Sequence, residues 1–348
     1  MASPVQASPA RAALGRAALA RAASPRLGFL GTGWIGRSRL AAVAGSGVAE
    51  VAALADADDA ALRAACEIAP GAAVLRDLDE LLEAGLDGIV IATPSALHAE
   101  QAIAALRSGA AVFCQKPLGR DAEEVAAVVG AAAAADRLLG VDLCYRLTAA
   151  AQAIRAEIGC GATGPVHAVD LVFHNAYGPD KPWFLDPRLS GGGCVIDLGT
   201  HLVDLLLWTL GFPQVEAVWS RLWRGGAPLD ASEEVEDMCI ATLELAGGTV
   251  ARLACSWYSH EGRDAVIEAT FRGRDGAASL SNVAGSFYDL AAERRSGTRA
   301  ELLVAPPDEW SGRTVLAWAR RLAEGARFEQ DAGELLQVAT VIDRIYGR

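Results

Sequence analysis

Short apolar runs alternate with helical stretches along the first half of the chain. Between Arg26 and about Val141 the runs are "RLGFL", "EVAALAD", "DGIVIATP", "AVFCQKP" and "LLGVD". Strands that are separated by helices form parallel sheets, and the helices cover both faces of the sheet. We therefore predict a doubly wound parallel α/β domain of the Rossmann type over residues 26–145.

The second half has a different pattern, because longer apolar runs follow one another with turns between them. From about Gly164 these runs are "VHAVDLVFHNAY", "VEAVWSRLW", "DMCIATLELAGGTVARLACSWYSH", "AVIEATFRGRDGAASLSN" and "FYDLAAERRSGTRAELLVA". Strands that are joined by tight turns pair antiparallel. Two helices are predicted to follow, at about 311–325 and 331–346. Residues 146–348 are thus predicted to form a second α/β domain on a large, mostly antiparallel open sheet.

A helix with an unusual polar stripe is predicted in "GGGCVIDLGTHLVDLLLW", residues 191–208. On a helical wheel Asp197, Thr200, His201 and Asp204 fall with Trp208 in one arc of roughly 100°, and leucines fill the remainder. The stripe has no Lys, Arg or Glu, which a solvated helix face normally carries. We therefore expect the stripe to face an enclosed space, with Asp197 and His201 on one side of the helix.

The composition is consistent with these two predicted domains. Hydrophobic residues make up 52% and charged residues 21% of the 348 positions, and this length fits two medium globular domains. The net charge of −12 argues against nucleic acid as a partner, because an anionic backbone would be repelled. The longest apolar runs are shorter than the roughly 18–20 uninterrupted residues of a membrane helix. Residues 1–25 are rich in Ala and Arg and are predicted to be a disordered extension rather than a targeting segment.

The cysteines indicate the compartment. The chain has seven, widely spaced and without a C-x-x-C pair, a pattern that is typical of reduced, buried thiols in the cytosol. We therefore predict a cytoplasmic protein. No His and Cys pair has the spacing of a zinc site, so no metal is predicted.

A glycine-rich turn predicts a dinucleotide site. In "GFLGTGWIG" the glycines Gly31, Gly33 and Gly36 lie between a predicted strand and a predicted helix, in the spacing that lets a pyrophosphate approach the helix N-terminus. Trp34 and Ile35 lie inside the motif. Asp56 ends the second strand, where a carboxylate would bind the adenosine ribose and repel a 2′-phosphate. These residues predict NAD as the cofactor, with NADP less favoured.

Further polar residues lie where later strands of the parallel sheet end. Ligands bind outside these carboxyl ends, so Thr93, Pro94, His98, Gln115 and Lys116 are candidates for cofactor contact. For His98 a capping or packing role is the stronger alternative to direct contact. Lys116 lies between a strand end and a proline, so its ammonium is held in place and suits contact with one particular oxygen atom of a substrate.

Taken in order, these segments resemble the Gfo/Idh/MocA family of oxidoreductases. The motifs are "GFLGTGWIG", "IATPSALHAEQAIAALRSG", "VFCQKPLG", "YRL", "GATGPV" and "SGGGCVIDLGTHLVDLLLW". The resemblance implies a Rossmann domain followed by an α/β domain on an open sheet. It also implies NAD(P)-dependent oxidation or reduction of a sugar, cyclitol or related secondary alcohol. Because an open sheet needs cover on its second face, it implies a homodimer or homotetramer as well.

The resemblance also assigns catalytic residues. The family's lysine in Glu-Lys-Pro and its Asp-x-x-x-His pair correspond to Lys116, Asp197 and His201. Gln115 replaces the family's glutamate, which removes a negative charge beside the lysine. In the oxidative direction His201, whose imidazole titrates near pH 6.5, would take the hydroxyl proton and Lys116 would stabilise the developing alkoxide. Asp197 would bind a neighbouring hydroxyl or orient the imidazole.

Alternatives remain for the helix and for the whole chain. His201 could instead be a buried histidine that is satisfied by Asp204. The chain could be a redox-neutral NAD-dependent glycoside hydrolase, or a nonenzymatic NAD-binding regulator. The loop "HNAYGPDKPWFLDPRLSGGG" precedes the helix, and its Tyr177 and Trp183 are predicted substrate contacts because an aromatic plane suits a sugar ring.

Overall fold

The structure, a computed structural model, describes residues 24–229 and 234–348. Most of the predicted N-terminal extension therefore lies outside the described residues. The described chain forms two sheets, one of six strands and one of nine, which confirms the predicted division into a parallel and a mostly antiparallel half.

The first sheet is parallel throughout and has the strand order β3-β2-β1-β4-β5-β6. Its strands are β1 (Arg26–Leu30), β2 (Glu50–Ala55), β3 (Ala73–Leu75), β4 (Gly88–Ile91), β5 (Ala111–Cys114) and β6 (Leu139–Val141). Its helices are α1 (Trp34–Ser46), α2 (Asp59–Ile68), α3 (Leu78–Glu83), α4 (His98–Arg107) and α5 (Ala122–Ala135). Five of these strands match the predicted runs, while the three-residue edge strand β3 and the short α3 are additional.

The second sheet has the order β15-β14-β13-β12-β7-β11-β10-β8-β9. Its strands are β7 (Val166–Asn175), β8 (Val215–Arg224), β9 (Ala227–Pro228), β10 (Met238–Leu245), β11 (Thr249–Ser256), β12 (Ala265–Gly273), β13 (Ala277–Asn282), β14 (Leu290–Ser296) and β15 (Arg299–Val304). Among these described strands, β7 and β11 pair parallel and the other neighbours pair antiparallel. The carboxyl ends of these two central strands, β7 and β11, therefore lie side by side.

The helices that follow the first domain are α6 (Ala149–Gly159), α7 (Pro187–Ser190), α8 (Thr200–Leu210), α9 (Arg313–Ala323) and α10 (Gly333–Tyr346). Of these, α6, α8 and α10 pack on one face of the second sheet, whereas α9 packs on the first sheet. The segment Pro187–Leu210 is long and apolar enough to cross a membrane, but its apolar window is 89% buried inside the protein. It is thus the core helical segment of the second domain.

Helix α9 completes the first domain although it belongs to the last part of the chain. Its Trp318 ring lies 5.7 Å from the ring of Phe113 on β5, and its Val315 and Ala319 are fully buried in the same apolar cluster. The opposite face of the first sheet packs against α4 and α5, and Leu335 of α10 also reaches that cluster. The C-terminal helices therefore fix the two domains to each other.

Candidate functional site

The glycine-rich turn has the geometry that its sequence predicts. Gly31 has a φ of +87°, and a Cβ there would come within 2.6 Å of the Ala92 carbonyl carbon. A Cβ on Gly36 would collide with the Gly31 carbonyl oxygen, so helix α1 can pack this close only with glycine. At Gly33 a Cβ would meet nothing within 4 Å. Open space thus lies beside Gly33, directly before the N-terminus of α1, where a pyrophosphate is expected.

Asp56 is turned toward this glycine loop. Its Oδ2 accepts hydrogen bonds from the Thr32 backbone N–H and, at 3.0 Å, from the Thr32 hydroxyl, and its Oδ1 accepts from the Asp58 N–H at 2.8 Å. Arg37 donates to the carbonyl of the same Thr32 at 2.9 Å, so a guanidinium that was not expected here binds the residue that Asp56 also binds. The region therefore contains a basic residue as well as the predicted acidic ones.

His98 bridges two strand-end loops. Its Nδ1 lies 2.6 Å from the Pro117 carbonyl oxygen and its Nε2 lies 2.7 Å from the Thr93 carbonyl oxygen. Only 1% of the residue is exposed, and burial lowers the pKa of the imidazole. This geometry positions the Thr93–Pro94 and Lys116–Pro117 segments relative to each other, while direct contact between His98 and the cofactor stays a prediction.

Lys116 and Asp197 form an ion pair between the two domains. The Lys116 Nζ donates to Asp197 Oδ1 at 2.6 Å and to the Asp197 carbonyl oxygen at 2.7 Å. The indole Nε1–H of Trp257 donates to the other carboxylate oxygen, Oδ2, at 3.1 Å. The side chains of Lys116 and Asp197 are 12% and 17% exposed. The pair is therefore largely shielded from solvent and still open on one side.

The helix that carries Asp197 differs from the predicted one in its first turns. It begins after the three glycines, and Val195–Gly199 form a π-helical turn that continues into α8. Such wider turns occur often at functional sites. Asp197 lies in the π turn, so it is rotated relative to the position that an ideal helical wheel assigns. Asp197 and His201 nevertheless belong to one continuous helix, as predicted.

His201 is buried and has no hydrogen-bond partner among the described residues. Its ring packs edge-on against Tyr145 at 5.0 Å and lies 6.3 Å from the ring of Phe173. Burial, and then the positive charges of Lys116 and Arg39, hold the pKa of His201 well below its ordinary value. The expected titration near pH 6.5 is therefore corrected to a lower pH, because a charge in this apolar, cationic environment is disfavoured.

The other polar residues of the helix are occupied elsewhere. Asp204 accepts from Arg146 at 2.6 and 3.0 Å, so it does not satisfy His201. Thr200 donates its hydroxyl hydrogen to the Ile196 carbonyl at 2.9 Å, and the Trp208 ring lies 4.3 Å from the guanidinium carbon of Arg155. These three residues are engaged in contacts within the protein. Of the polar residues of the helix, Asp197 and His201 are therefore the ones available to a ligand.

The two aromatic residues of the preceding loop have different surroundings. Trp183 stacks on Phe184 with the ring centroids 3.9 Å apart, and Phe184 meets Trp257 edge-on at 6.4 Å. Trp183 is thereby linked to the indole that binds Asp197. Tyr177 is 51% exposed and lies 6.2 Å from Phe287. Their contact with substrate stays a prediction.

A cleft of about 480 Å³ lies beside the dinucleotide end of the site. It separates Trp34 and Ser38 of α1 from a segment of the second domain that includes Tyr288, Asp289 and Glu309. The Trp34 side chain is 64% exposed there. Among the described residues there is no group of three His, Cys, Asp or Glu side chains that could hold a metal ion.

Several residues of the site have no signal in the sequence pattern. Trp257 and Tyr145 contact Asp197 and His201 from distant parts of the chain. Arg39, only 2% exposed, donates to Asp142 at 2.6 Å. Gln115, by contrast, is one of the predicted cofactor contacts, and it has a buried Oε1 atom without a partner among the described residues. The motif "YRL" carries Tyr145, and its spacing alone does not indicate the contact with His201.

Comparisons with known proteins agree on one family. A family model described as "Oxidoreductase family, NAD-binding Rossmann fold" matches residues 26–143, and a GFO/IDH/MocA C-terminal domain model matches residues 151–279. A protein of Amycolatopsis mediterranei, assigned as the oxidoreductase subunit of a UDP-kanosamine synthase, is 30% identical over 347 residues, which cover 91% of this chain and 94% of that one.

Solved structures share the same fold. A levoglucosan dehydrogenase in complex with NADH and levoglucosan has a TM-score of 0.78 at 23% identity, over 93% of this chain and 96% of that one. A 3-ketoreductase from Actinomadura kijaniata, in complex with NADP and TDP-benzene, has a TM-score of 0.79 at 20% identity, over 93% and 97% of the two chains. Proteins of this fold therefore occur with either dinucleotide.

Proposed function

This chain belongs to the GFO/IDH/MocA family of NAD-binding oxidoreductases, and on that premise we propose that it transfers a hydride between NAD and a secondary alcohol or ketone. The family acts on CH–OH groups. We propose a sugar, cyclitol or related polyol as the substrate and Lys116, Asp197 and His201 as the catalytic residues. The observation that supports this most strongly is the ion pair between Lys116, which follows β5, and Asp197, which lies one helical turn before the buried His201.

The residues of the first domain fit a nicotinamide dinucleotide. Gly31, Gly33 and the α1 N-terminus at Trp34 and Ile35 would hold the pyrophosphate, and Asp56 would hold the adenosine ribose. At the other end the buried Oε1 of Gln115 is an unused hydrogen-bond acceptor. Such an atom costs stability until it meets a donor, and a ribose hydroxyl or a carboxamide supplies one. When bound, the nicotinamide accepts or returns the hydride.

We assign the transfer of the substrate's hydroxyl proton to His201. Its pKa lies well below the ordinary value because of burial and two nearby positive charges, so the imidazole is neutral at pH 7 and can accept the hydroxyl proton during oxidation. In the reductive direction the same nitrogen returns that proton. The neighbouring Tyr145 and Phe173 rings restrict the orientation of the imidazole.

Lys116 supplies positive charge to the reacting oxygen atom. An ammonium has three donors, and two of them reach Asp197, which leaves one for the substrate. The Asp197 carboxylate fixes that ammonium and is itself held by Trp257. Preorganised charge of this kind stabilises an oxyanion without reorganisation during the reaction.

We also propose where the substrate and a second subunit bind. Trp183, whose stacking partner Phe184 packs edge-on against the Trp257 that holds Asp197, and the exposed Tyr177 offer aromatic planes to a sugar ring. The uncovered face of the second sheet exposes Trp219, Ile240 and Val250, which supports a homodimer or homotetramer through that face.

All seven cysteines are free thiols, which supports a cytoplasmic location.

A screen of NADH formation tests the function. Purified protein is mixed with NAD and with levoglucosan, D-glucose or myo-inositol, and absorbance of NADH is followed. Net NADH formation that is lost in both Lys116→Met and His201→Ala supports the proposal. Hydrolysis of a nitrophenyl glycoside without net NADH would instead identify a redox-neutral glycosidase. NAD binding without either reaction would indicate a regulator.

A further inference from the structure

The helix that carries Asp197 begins next to a buried carboxylate, that of Glu236 in the segment before β10. Glu236 is 1% exposed and precedes β10. Its Oε1 accepts from the Gly193 N–H at 3.1 Å and from the Val195 N–H at 2.8 Å, and its Oε2 accepts from the Gly193 N–H at 3.0 Å. The backbone carbonyl of Glu236 accepts from the Cys194 N–H at 3.1 Å.

Tyr346 of α10 completes this cap. Its hydroxyl donates to Glu236 Oε1 at 2.8 Å and accepts from the Ile196 N–H at 3.2 Å. The first amide groups of a helix have no partner inside the helix. Here four successive amide groups, from Gly193 to Ile196, are all satisfied by Glu236 and Tyr346. Asp197 is the next residue.

The three glycines before the helix make this arrangement possible. A Cβ on Gly193 would collide with the Glu236 carbonyl oxygen, and a Cβ on Gly192 would collide with the Tyr346 hydroxyl. A Cβ on Gly191 would come within 2.8 Å of the Arg120 side chain. The glycines therefore give the carboxylate and the phenol direct access to the helix start.

The segment before β10 also binds Trp257, the residue whose indole donates to the Asp197 side chain. The Asp237 carbonyl accepts from the Trp257 N–H at 2.8 Å, and the Trp257 indole donates to Asp197 Oδ2. Glu236 and Asp237 thus fix both the backbone start of the Asp197 helix and the residue that binds its side chain. Burial raises the pKa of the Glu236 carboxyl, and hydrogen bonds from the Val195 N–H, Tyr346 and the Gly193 N–H oppose this.

We propose that Glu236, together with Tyr346, is a positioning residue that sets the Lys116–Asp197 geometry for the reaction. Neither side chain touches the substrate or the cofactor. Their effect passes through the first turn of the helix to Asp197 and from there to the Lys116 ammonium. The expected effect on the reaction rests on the proposed function, whereas the expected effect on the Lys116–Asp197 distance rests on the structure alone.

The test replaces Glu236 by glutamine, which has the same shape but has no negative charge and one acceptor oxygen fewer. Its amide nitrogen faces the Gly193 N–H at the Oε2 position or, in the flipped orientation, the Gly193 and Val195 N–H groups at the Oε1 position. A crystal structure of Glu236→Gln is expected to show the Lys116 Nζ to Asp197 Oδ1 separation lengthened beyond about 3.5 Å, the limit of a hydrogen bond. An unchanged separation of 2.6 Å would overturn the proposal whether or not a substrate is known.

Kinetics give the second readout, with whichever of levoglucosan, D-glucose or myo-inositol the wild type oxidises. We expect kcat per NAD-binding site to fall about tenfold or more in Glu236→Gln, the loss of about one hydrogen bond to a charged group. The NAD Kd is expected to stay within about twofold. Tyr346→Phe removes both contacts of the hydroxyl and is expected to lower kcat in the same direction. A purely structural role would lower the amount of folded protein and leave kcat per site unchanged.

Asp308 provides a matched control. It is a buried carboxylate, 1% exposed, that accepts from the Ala149 and Ala150 N–H groups at the start of α6 and also pairs with Arg313 at 2.8 Å. Helix α6 carries none of the proposed catalytic residues. Asp308→Asn is expected to lower the melting temperature while kcat per NAD-binding site is retained. An equal loss of kcat in Asp308→Asn and Glu236→Gln would overturn the positioning role. If the wild type oxidises no tested polyol, the proposed substrate class fails and the crystal structure still decides the role of Glu236.

Discussion

Replacing Trp257 by phenylalanine isolates one contact of the Asp197 carboxylate, which we propose to be catalytic. The change removes the indole N–H that donates to Asp197 Oδ2 at 3.1 Å and keeps an aromatic ring in the buried position. A hydrogen bond to a charged group contributes about 1.5–3 kcal/mol, and about 1.4 kcal/mol corresponds to a tenfold change. Since Lys116 still holds Oδ1 at 2.6 Å, we expect the lower end of this range, about a tenfold decrease in kcat.

The chain offers a matched control for this substitution. Trp318 is also buried, at 4% exposure, and its indole nitrogen has no partner among the described residues. Trp318→Phe therefore removes a similar volume without removing a hydrogen bond. Both variants should lose some stability, because large-to-small changes leave a cavity.

Steady-state kinetics with NAD and an oxidised polyol, together with direct titration of NAD, separate the two variants. Trp257→Phe should lower kcat with little change in NAD affinity, and Trp318→Phe should leave kcat per folded site unchanged. If both variants lose kcat equally, the effect comes from general loosening of the fold. If Trp257→Phe retains full kcat, the indole does not hold Asp197 in the reacting enzyme and the reasoning is refuted.

Three further predictions concern the proton, the cofactor and the assembly. His201→Ala should lower turnover on the order of 10²-fold and remove the acid limb of the pH–rate profile. In the wild type that limb should lie below the ordinary histidine value of about 6.5, because protonation of His201 is opposed by burial and by Lys116. Lys116→Met should lower the rate and move the limb to higher pH. Titrations should show NAD bound about tenfold better than NADP, and Asp56→Ser with Ala57→Arg should narrow this ratio; equal affinities in the wild type would contradict the role of Asp56. Light scattering should give at least twice 36.1 kDa, and Trp219→Glu on the exposed sheet face should reduce this mass; a monomeric wild type would contradict the interface.

The parts of the site that the sequence predicts are those with a local signal. The glycine spacing around Gly31 predicts a turn, a close helix contact and open space beside Gly33, and all three are present because each depends on backbone geometry within a few residues. The alternation of apolar residues in β10 and β11 likewise predicts their pairing, with the Gly247–Gly248 turn at positive φ between them.

The remaining parts depend on contacts across the chain. Trp257 reaches Asp197 over 60 positions, and Glu236 caps its helix from about 40 positions away, so no spacing rule could find them. The π turn at Val195–Gly199 begins where Glu236 and Tyr346 bind the first amide groups, and an ideal helical wheel has no term for such contacts. The expected pH range of His201 was wrong for a related reason, since burial and the charge of Arg39 come from the fold.

Helix α9 makes the dinucleotide domain discontinuous in sequence. Its Trp318, Val315 and Ala319 fill the core around Phe113, about 200 residues after that strand. During synthesis the part of the first sheet around Phe113 therefore stays uncovered until nearly the whole chain has left the ribosome. A fragment that ends at residue 145 would lack this cover and should aggregate. A chimera that exchanges dinucleotide domains between relatives must carry residues 313–323 along with 26–145.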